Sequence, residues 1–276
     1  MKRLLIIVVI IAIITSTEGH SQSDTLLINN KKIPCTLVEI TVDAVKYTLP
    51  GEDLPNTVYK NSVQKVIHKN GRVETFNEST SFKKVNSVDE FKNVTLTAVE
   101  FEVKGLFKVG EVSAKAKGAT SLSNQERVKE RALRKLKIEA AMMGANIIYI
   151  SHQRSVGGKG GILQTSNAET TLTGVAYSNQ LQQYDEFVEL VGSRKDFVTT
   201  AVNKMWSSDA DVKRSVTNKT FKINNIINDN GIISIEGELS GVSNYNKFRV
   251  SNFTDDTFSI YYKDKSTAYN YEIKFY

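Results

Sequence analysis

Cysteine and histidine are scarce in this chain of 276 residues, which contains one cysteine and three histidines. The single thiol, Cys35, excludes a disulfide framework within the chain. So few soft ligands also exclude a zinc site built from histidine and cysteine alone. The hydrophobic content of 40% permits a packed core and argues against wholesale disorder.

Neither positive nor negative charge is in large excess in this chain. The chain has 36 basic and 30 acidic residues, which gives a formal net charge of +6. A charge of this size contributes to solubility and does not by itself indicate a nucleic-acid partner. The sequence also shows no constellation of nucleophile, base and metal ligands. We therefore expect no nucleic acid, no cofactor and no enzymatic activity.

Long hydrophobic runs are absent except at the start of the chain. Residues 4–14 are eleven apolar residues that follow Lys2 and Arg3. A helix needs about 20 apolar residues to cross a bilayer, so we expect no transmembrane span. The run is typical of a secretory signal peptide at residues 1–23, and a buried N-terminal strand is the alternative. The expected product is periplasmic or secreted after cleavage.

Residues 24–77 are predicted to form a β-rich, SH3-like domain. Short runs of β-branched and aromatic residues alternate with turn residues, and Asn70 with Gly71 indicates a tight hairpin. Several strands in so short a segment suggest a small curled sheet or a barrel. Cys35 lies inside one of these runs, where we expect a buried structural thiol.

Residues 90–205 are predicted to form an α/β sandwich of one helix on a small sheet. Polar and apolar side chains alternate in residues 95–103, which predicts a strand. Residues 146–152 are predicted to form a central strand that is covered on both faces. Ser123 and Glu126 have the spacing of a capping box, and Gly144 is placed to end the helix. The helix between them has an apolar stripe made of Val128, Ala132, Leu133, Leu136, Ala140 and Met143.

Residues 212–276 are predicted to form a β-rich C-terminal domain, so the expected fold class is α+β with two β-rich ends. Asn230 and Gly231 indicate a hairpin, and Tyr269 and Tyr271 share one face of the last strand. Residues 187–191 and 197–202 could be short helices or strands. We expect the domain boundary near residues 205–218.

The run of residues 131–150 resembles the helix-to-strand segment of YbjQ-type proteins, which are labelled as heavy-metal-binding. It is similar also to the outer-membrane sensor lipoprotein of the Rcs stress phosphorelay. In both families an alanine-rich helix ends in a Gly-Ala-Asn turn, found here at residues 144–146, and residues 109–112 look like the preceding strand. The resemblance covers about residues 103–155 and implies the fold only, because no metal ligands carry over and the sensor's lipid anchor and disulfide cysteines are missing.

The whole chain resembles uncharacterised exported proteins of Bacteroidetes. The likeness is carried by residues 26–33, followed by residues 38–41 and 45–47. It implies location rather than activity.

Basic residues provide the candidate binding sites. Arg127, Arg131 and Arg134 are neighbours on the predicted helix, and they could bind phosphate, lipopolysaccharide or an acidic partner. Interspersed glutamates favour an ordinary solvated face instead. Arg154 and Lys159 flank a glycine-rich run at residues 157–161 that lacks the order of a phosphate-binding loop. If this run binds a ligand, we expect an anion.

The favoured function is a non-enzymatic interaction or sensing module of the cell envelope, with an envelope protein or polysaccharide as partner. The first alternative is an exported hydrolase of envelope polymers that uses paired carboxylates, either Glu100 with Glu102 or Asp185 with Glu186. Weak metal binding is the second alternative.

Overall fold

The computed structural model describes residues 23–76, 82–120, 123–157, 167–209 and 211–275. This part of the chain is mainly β-strand, as expected, and its strands form three sheets that follow one another along the sequence. None of its helices combines the length and the apolar character that crossing a bilayer requires. The predicted signal peptide lies outside the described residues, except for Ser23.

The first sheet contains six antiparallel strands in the order β4-β3-β2-β1-β5-β6. Their bounds are Asp24–Ile28 (β1), Lys31–Ile40 (β2), Ala44–Thr48 (β3), Asn56–Tyr59 (β4), Val63–Ile67 (β5) and Val73–Thr75 (β6). Of the two predicted forms, a small curled sheet or an SH3-like barrel, the barrel is wrong, because β4 and β6 remain unpaired edges within the described chain and the sheet is not closed. Both edge strands are short, which limits the backbone groups that an open sheet leaves free.

Cys35 lies in the core of this first sheet, as predicted. It is 1% exposed and packs with Leu26, Val45, Val63 and Val66. Burial, followed by the nearby Asp24 carboxylate, raises the pKa of the Cys35 thiol. Because the thiolate is the reactive form, both effects suppress reaction with thiol reagents.

We predict that Cys35 reacts with an aromatic disulfide reagent at pH 8 far more slowly in the native protein than in urea. The native rate should follow opening of the first sheet, since the reagent must reach a buried sulfur. Absorbance of the released thiolate measures the rate, and free cysteine is the control. Native reaction at the rate of free cysteine would contradict the buried position.

The second sheet has the strand order β7-β9-β10-β8. Its strands are Thr95–Thr97 (β7), Phe107–Lys117 (β8), Ile147–Val156 (β9) and Glu169–Ser178 (β10), and β7 runs parallel to β9. The strand predicted at residues 95–103 stops at Thr97, and Glu100–Val103 forms a 3-10 helix instead. The buried Val103 and Leu106 cover Ile147 from the side of the sheet that faces away from the long helix.

Helix α1, Gln125–Met142, begins and ends with specific caps. Asn124 rather than Ser123 is the N-cap, because the Asn124 Oδ1 accepts from the amides of Glu126 and Arg127 at 2.8 and 3.3 Å. The predicted capping box of Ser123 and Glu126 is therefore wrong, because the N-cap is one residue later and the residue three positions after it is Arg127. The predicted end is confirmed: Gly144 has φ +80°, and the amides of Gly144 and Ala145 donate to the last-turn carbonyls of Ala141 and Ala140.

Helix α1 is buried on two sides. The predicted apolar stripe packs on the second sheet, where Leu136 and Leu172 are both 0% exposed. The same core cluster contains Met205, Tyr261 and Ala268 of the third sheet. The helix therefore fills the space between two sheets, whereas the sequence predicted one.

The third sheet contains seven strands and follows a short helix, α2, Tyr184–Val191. Its strands are Asp196–Trp206 (β11), Lys213–Val216 (β12), Thr220–Asp229 (β13), Ile232–Leu239 (β14), Lys247–Phe253 (β15), Thr257–Asp264 (β16) and Thr267–Lys274 (β17). β11 pairs with β12, with β13 and with β17. The last strand of the sheet, β17, is therefore hydrogen-bonded back to the first, β11. Residues 196–205 thus belong to this sheet and not to the helix-bearing one, to which the sequence prediction assigned them.

Aromatic side chains fill the interior of the third sheet. Phe187 of α2 is 0% exposed and closes one end of this core. The predicted hairpin is present, since Asn230 and Gly231 have φ +50° and +87°. Tyr269 and Tyr271 point into the same core, on the face expected from their spacing. Among the other tyrosines of this region, Tyr276 lies outside the described residues.

We predict that Gly144→Ala destabilises the protein by about 1–3 kcal/mol more than Gly71→Ala does. Both glycines have nearly equal φ, +80° and +83°, so both substitutions introduce similar backbone strain. A Cβ at Gly144 would lie 2.1 Å from the Ser251 carbonyl oxygen, whereas nothing lies within 4 Å of one at Gly71. Urea denaturation measures the difference. Equal losses of stability in the two variants would mean that the end of helix α1 does not pack against β15.

Candidate functional site

Three of the predicted basic residues line one shallow groove at the start of α1. Arg127, Arg131 and Arg134 share it with Ser123, Asn124, Val128 and Glu130. Two of these arginines already have protein partners. The guanidinium of Arg131 donates to the Lys117 carbonyl at 3.0 Å, and that of Arg134 binds Asp211 at 2.6 Å and lies over the Phe91 ring.

The other two predicted residues are not part of this groove. Arg154 is exposed on β9 and pairs in register with Thr171, whose neighbour Leu172 faces α1. Because side chains alternate along a strand, Arg154 lies on the face of the second sheet that is turned away from α1. Lys159 lies outside the described residues. An anion site made of all five residues is therefore not assembled by the described chain.

A polar cleft of about 200 Å³ lies where the three sheets meet. Six segments form it: the turn after β1, residues 84–86, the turn after α1, the connection 178–183 that begins at the end of β10, the first turn of α2, and the end of β15. We call it the junction cleft. Its side chains are mainly amides, from Asn30, Asn86, Asn146, Asn179, Gln180, Gln182, Gln183 and Asn252.

Part of this amide set joins the sheets to one another. Asn146 donates to the Asn179 Oδ1 at 2.8 Å, and Gln182 donates to the Asn252 Oδ1 at 3.2 Å. The Asn29 Oδ1, in the turn after β1, accepts from the amide of Leu181 at 2.6 Å. Buried or half-buried amides need such partners. The last two of these bonds join different sheets, whereas Asn146 and Asn179 both flank strands of the second sheet.

The remaining amide groups face the cleft with hydrogen-bonding capacity to spare. Among the described residues, the side-chain amide of Gln180 and the Nδ2 of Asn179 have no protein partner. One lysine, Lys84, and one glutamate, Glu186, lie at the lining, so the charges balance. Such a lining suits a small polar ligand without net charge, which amides can bind through both donors and acceptors.

No protein-family model matches this chain, and neither a curated protein nor a solved structure matches it.

The carboxylates that would serve a hydrolase do not converge on the junction cleft. Glu186 is the one carboxylate among the described residues that line it. Glu100 lies in the 3-10 helix and is exposed, as is Asp185 in the first turn of α2. Glycoside hydrolysis uses two carboxyl groups about 5–10 Å apart across the substrate, and the described lining of the cleft contains one.

The described residues contain no group of three or more histidine, cysteine, aspartate or glutamate side chains that could hold a metal ion. His68 binds Glu74 at 3.0 Å at the far edge of the first sheet. His152 is exposed on β9 of the second sheet. These positions give the metal-binding alternative no structural support.

Charged groups are buried between α1 and the third sheet, at a contact that we call the seam. Glu139 is 2% exposed and its Oε1 lies 2.5 Å from the Lys263 Nζ. Burial, followed by the neighbouring Glu139 carboxylate, raises the pKa of Tyr261. Lys135 is 5% exposed, and its Nζ donates to the Lys115 carbonyl at 2.8 Å and to the Ser207 carbonyl. No local sequence pattern predicts this cluster, because its members lie far apart in the chain and meet only in the folded protein.

We predict that Lys263→Met destabilises the protein by about 3 kcal/mol, since it leaves the Glu139 carboxylate buried without its cation. Adding Glu139→Gln in the same chain should recover part of this loss, because the buried charge is then removed. Thermal and urea unfolding of the two variants measure both effects. A double variant that is no more stable than Lys263→Met would contradict a buried ion pair at the seam.

Proposed function

We propose that the protein is a non-enzymatic binding module of the cell envelope, and that the junction cleft binds a neutral sugar unit of an envelope polysaccharide. The Gln180 amide and the Asn179 Nδ2 carry the proposal, because both residues line this cleft and neither group has a protein partner among the described residues. Sugar hydroxyls donate and accept hydrogen bonds, which matches the dual capacity of amides. The balanced charges of Lys84 and Glu186 favour a neutral ligand over an ionic one.

The size of the cleft sets the size of the ligand. Pockets for drug-sized molecules have volumes of about 300–1,000 Å³, and the junction cleft is smaller. It therefore suits one sugar unit at the end or side of a polymer rather than a long stretch of chain.

The envelope location rests on the predicted signal peptide at residues 1–23, which directs the chain to the periplasm or the exterior. The resemblance of the whole chain to exported proteins of Bacteroidetes supports the same location. The two β-rich units and the helix-bearing sheet between them then serve to present the cleft and its surroundings to a partner.

We predict that Gln180→Ala weakens sugar binding by about 0.5–1.5 kcal/mol, or up to about tenfold in Kd, without lowering stability. The Gln180 amide has no protein partner among the described residues, so its removal costs only ligand contacts. Calorimetric titration with N-acetylglucosamine, glucose, galactose and mannose, and with their short oligosaccharides, measures the affinity. Gln153→Ala is the matched control, because Gln153 is an exposed amide on β9 away from the cleft.

Two results would overturn the proposal. The first is the absence of binding to every sugar of the panel, and the second is equal affinity in the Gln180→Ala and wild-type proteins. Release of reducing ends from the oligosaccharides by wild-type protein would show hydrolysis and would favour the exported hydrolase instead.

A further inference from the structure

A pocket lined by four lysines lies where β8, α1 and the third sheet meet. We call it the lysine pocket. Its volume is about 270 Å³, and it shares no described residue with the junction cleft. β8 contributes Lys115 and α1 contributes Lys135, while β16 and the turn after it contribute Lys263 and Lys265. Three serines add hydroxyl groups to the lining: Ser113, Ser207 and Ser266.

Positive charge is in excess around this pocket. Glu139 is the one carboxylate among the described residues of the lining, and its Oε1 lies 2.5 Å from the Lys263 Nζ. The Glu169 carboxylate, outside the lining, pairs with Lys115 at 2.8 Å. Two carboxylates therefore face the four lysines, which leaves a local charge of +2.

Two of the four lysines form no ion pair with a carboxylate of the described chain. Lys135 is 5% exposed and donates to two backbone carbonyls. Burial lowers the pKa of Lys135, and the Asp209 carboxylate opposes this effect while pairing with Lys213 at 3.7 Å. Lys265 is exposed in the turn between β16 and β17. A negative charge in the pocket would compensate both of these ammonium groups.

Three of the lysines keep side chains that solvent, and therefore a ligand, can reach. The side chains of Lys115 and Lys263 are 59% and 35% exposed, and Lys265 is exposed as a residue. The turn that carries Lys265 is fixed, because the Ser207 amide donates to the Ser266 carbonyl at 3.0 Å. The backbone positions from which these lysines project are thus set by the fold before a ligand binds.

The charges of the pocket match a phosphate group better than a carboxylate. A phosphate monoester carries about −1.5 to −2 charges at pH 7 and has three terminal oxygens that accept hydrogen bonds. Lysine binds phosphate as a point charge, whereas arginine recognises a planar carboxylate through two parallel bonds. No arginine is present among the described residues of the lining. The local charge of +2 is therefore balanced by one phosphate monoester.

We propose that the lysine pocket binds the phosphate group of a phosphate monoester, with Lys115, Lys263 and Lys265 as the contacting cations. Lys135 contributes its charge without direct contact. A water molecule occupies about 30 Å³ in the liquid, so a pocket of about 270 Å³ has room for the phosphate and for part of the molecule that carries it. The proposal does not depend on the sugar ligand of the junction cleft.

Calorimetric titration with glycerol 3-phosphate at constant ionic strength tests the proposal. Wild-type protein should bind this monoester, and glycerol should produce no heat of binding. Lys265→Gln should raise the Kd about tenfold, because it removes a charge-assisted contact. Lys274→Gln is the matched control and should leave the Kd unchanged, since Lys274 is an exposed lysine at the other end of β17 and does not line the pocket.

Three results would overturn the proposal. The first is the absence of glycerol 3-phosphate binding by wild-type protein. The second is an equal Kd in the Lys265→Gln and Lys274→Gln variants. The third is tighter binding of inorganic phosphate or acetate than of glycerol 3-phosphate, which would assign the pocket to a free anion or to a carboxylate.

A second measurement does not depend on the folding of the variants. In nitrogen-15-labelled wild-type protein, glycerol 3-phosphate should shift the amide signals of Ser207 and Ser266 with the Kd found by calorimetry. The amide signals of Asn179 and Gln180 in the junction cleft should stay in place. Shifts that are confined to other surfaces would contradict the assignment to the lysine pocket even if Lys265→Gln failed to fold.

Discussion

The packing of helix α1 between the second and third sheets is the constraint on which the rest of the structure depends. A helix that contacts one sheet can keep its opposite face polar, but a helix between two sheets must be buried over most of its circumference. Small residues such as Ala132, Ala140 and Ala141 permit the close approach. Gly144 allows the chain to leave the helix directly against β15.

This double burial also explains the polar character of the seam. The second burial face of α1 carries Lys135 and Glu139 in addition to apolar residues, so the contact with the third sheet has to supply partners for charges. Carbonyl oxygens satisfy Lys135, and Lys263 satisfies Glu139. The Asn270 Nδ2 donates to the Met142 carbonyl at the end of the helix at 3.0 Å. Each of these bonds joins residues far apart in sequence, and together they specify one relative position of helix and sheet.

The sequence predicted the features that are encoded locally. Alternation and turn residues located most strands, and the spacing of Gly144 located the end of α1, because both signals act within a few residues. The capping box missed the N-cap by one residue, since Ser123 and Asn124 can both cap and only the path of the preceding turn decides between them.

Features that depend on distant partners were not predictable in this way. β11 has the local pattern of a strand, but its assignment to the third sheet follows from pairing with β17, about 70 residues later in the chain. Whether the first sheet closes into a barrel likewise depends on whether its edge strands, β4 and β6, pair with each other. Among the candidate site residues, the spacing of the arginines correctly placed three on one helix face, whereas the amide cleft and the lysine pocket carry no motif that spacing could reveal.

The connection 178–183 unites the junction cleft with the seam. Its residues Ser178, Gln180 and Gln182 line both the cleft and a smaller space that Arg249 of β15 also lines. The same segment is bonded to the first sheet through Asn29 and to the third through Asn252. A ligand in the cleft would therefore contact a backbone segment that all three sheets help to position, and a ligand shifts a conformational equilibrium only through its differential contacts with the two states.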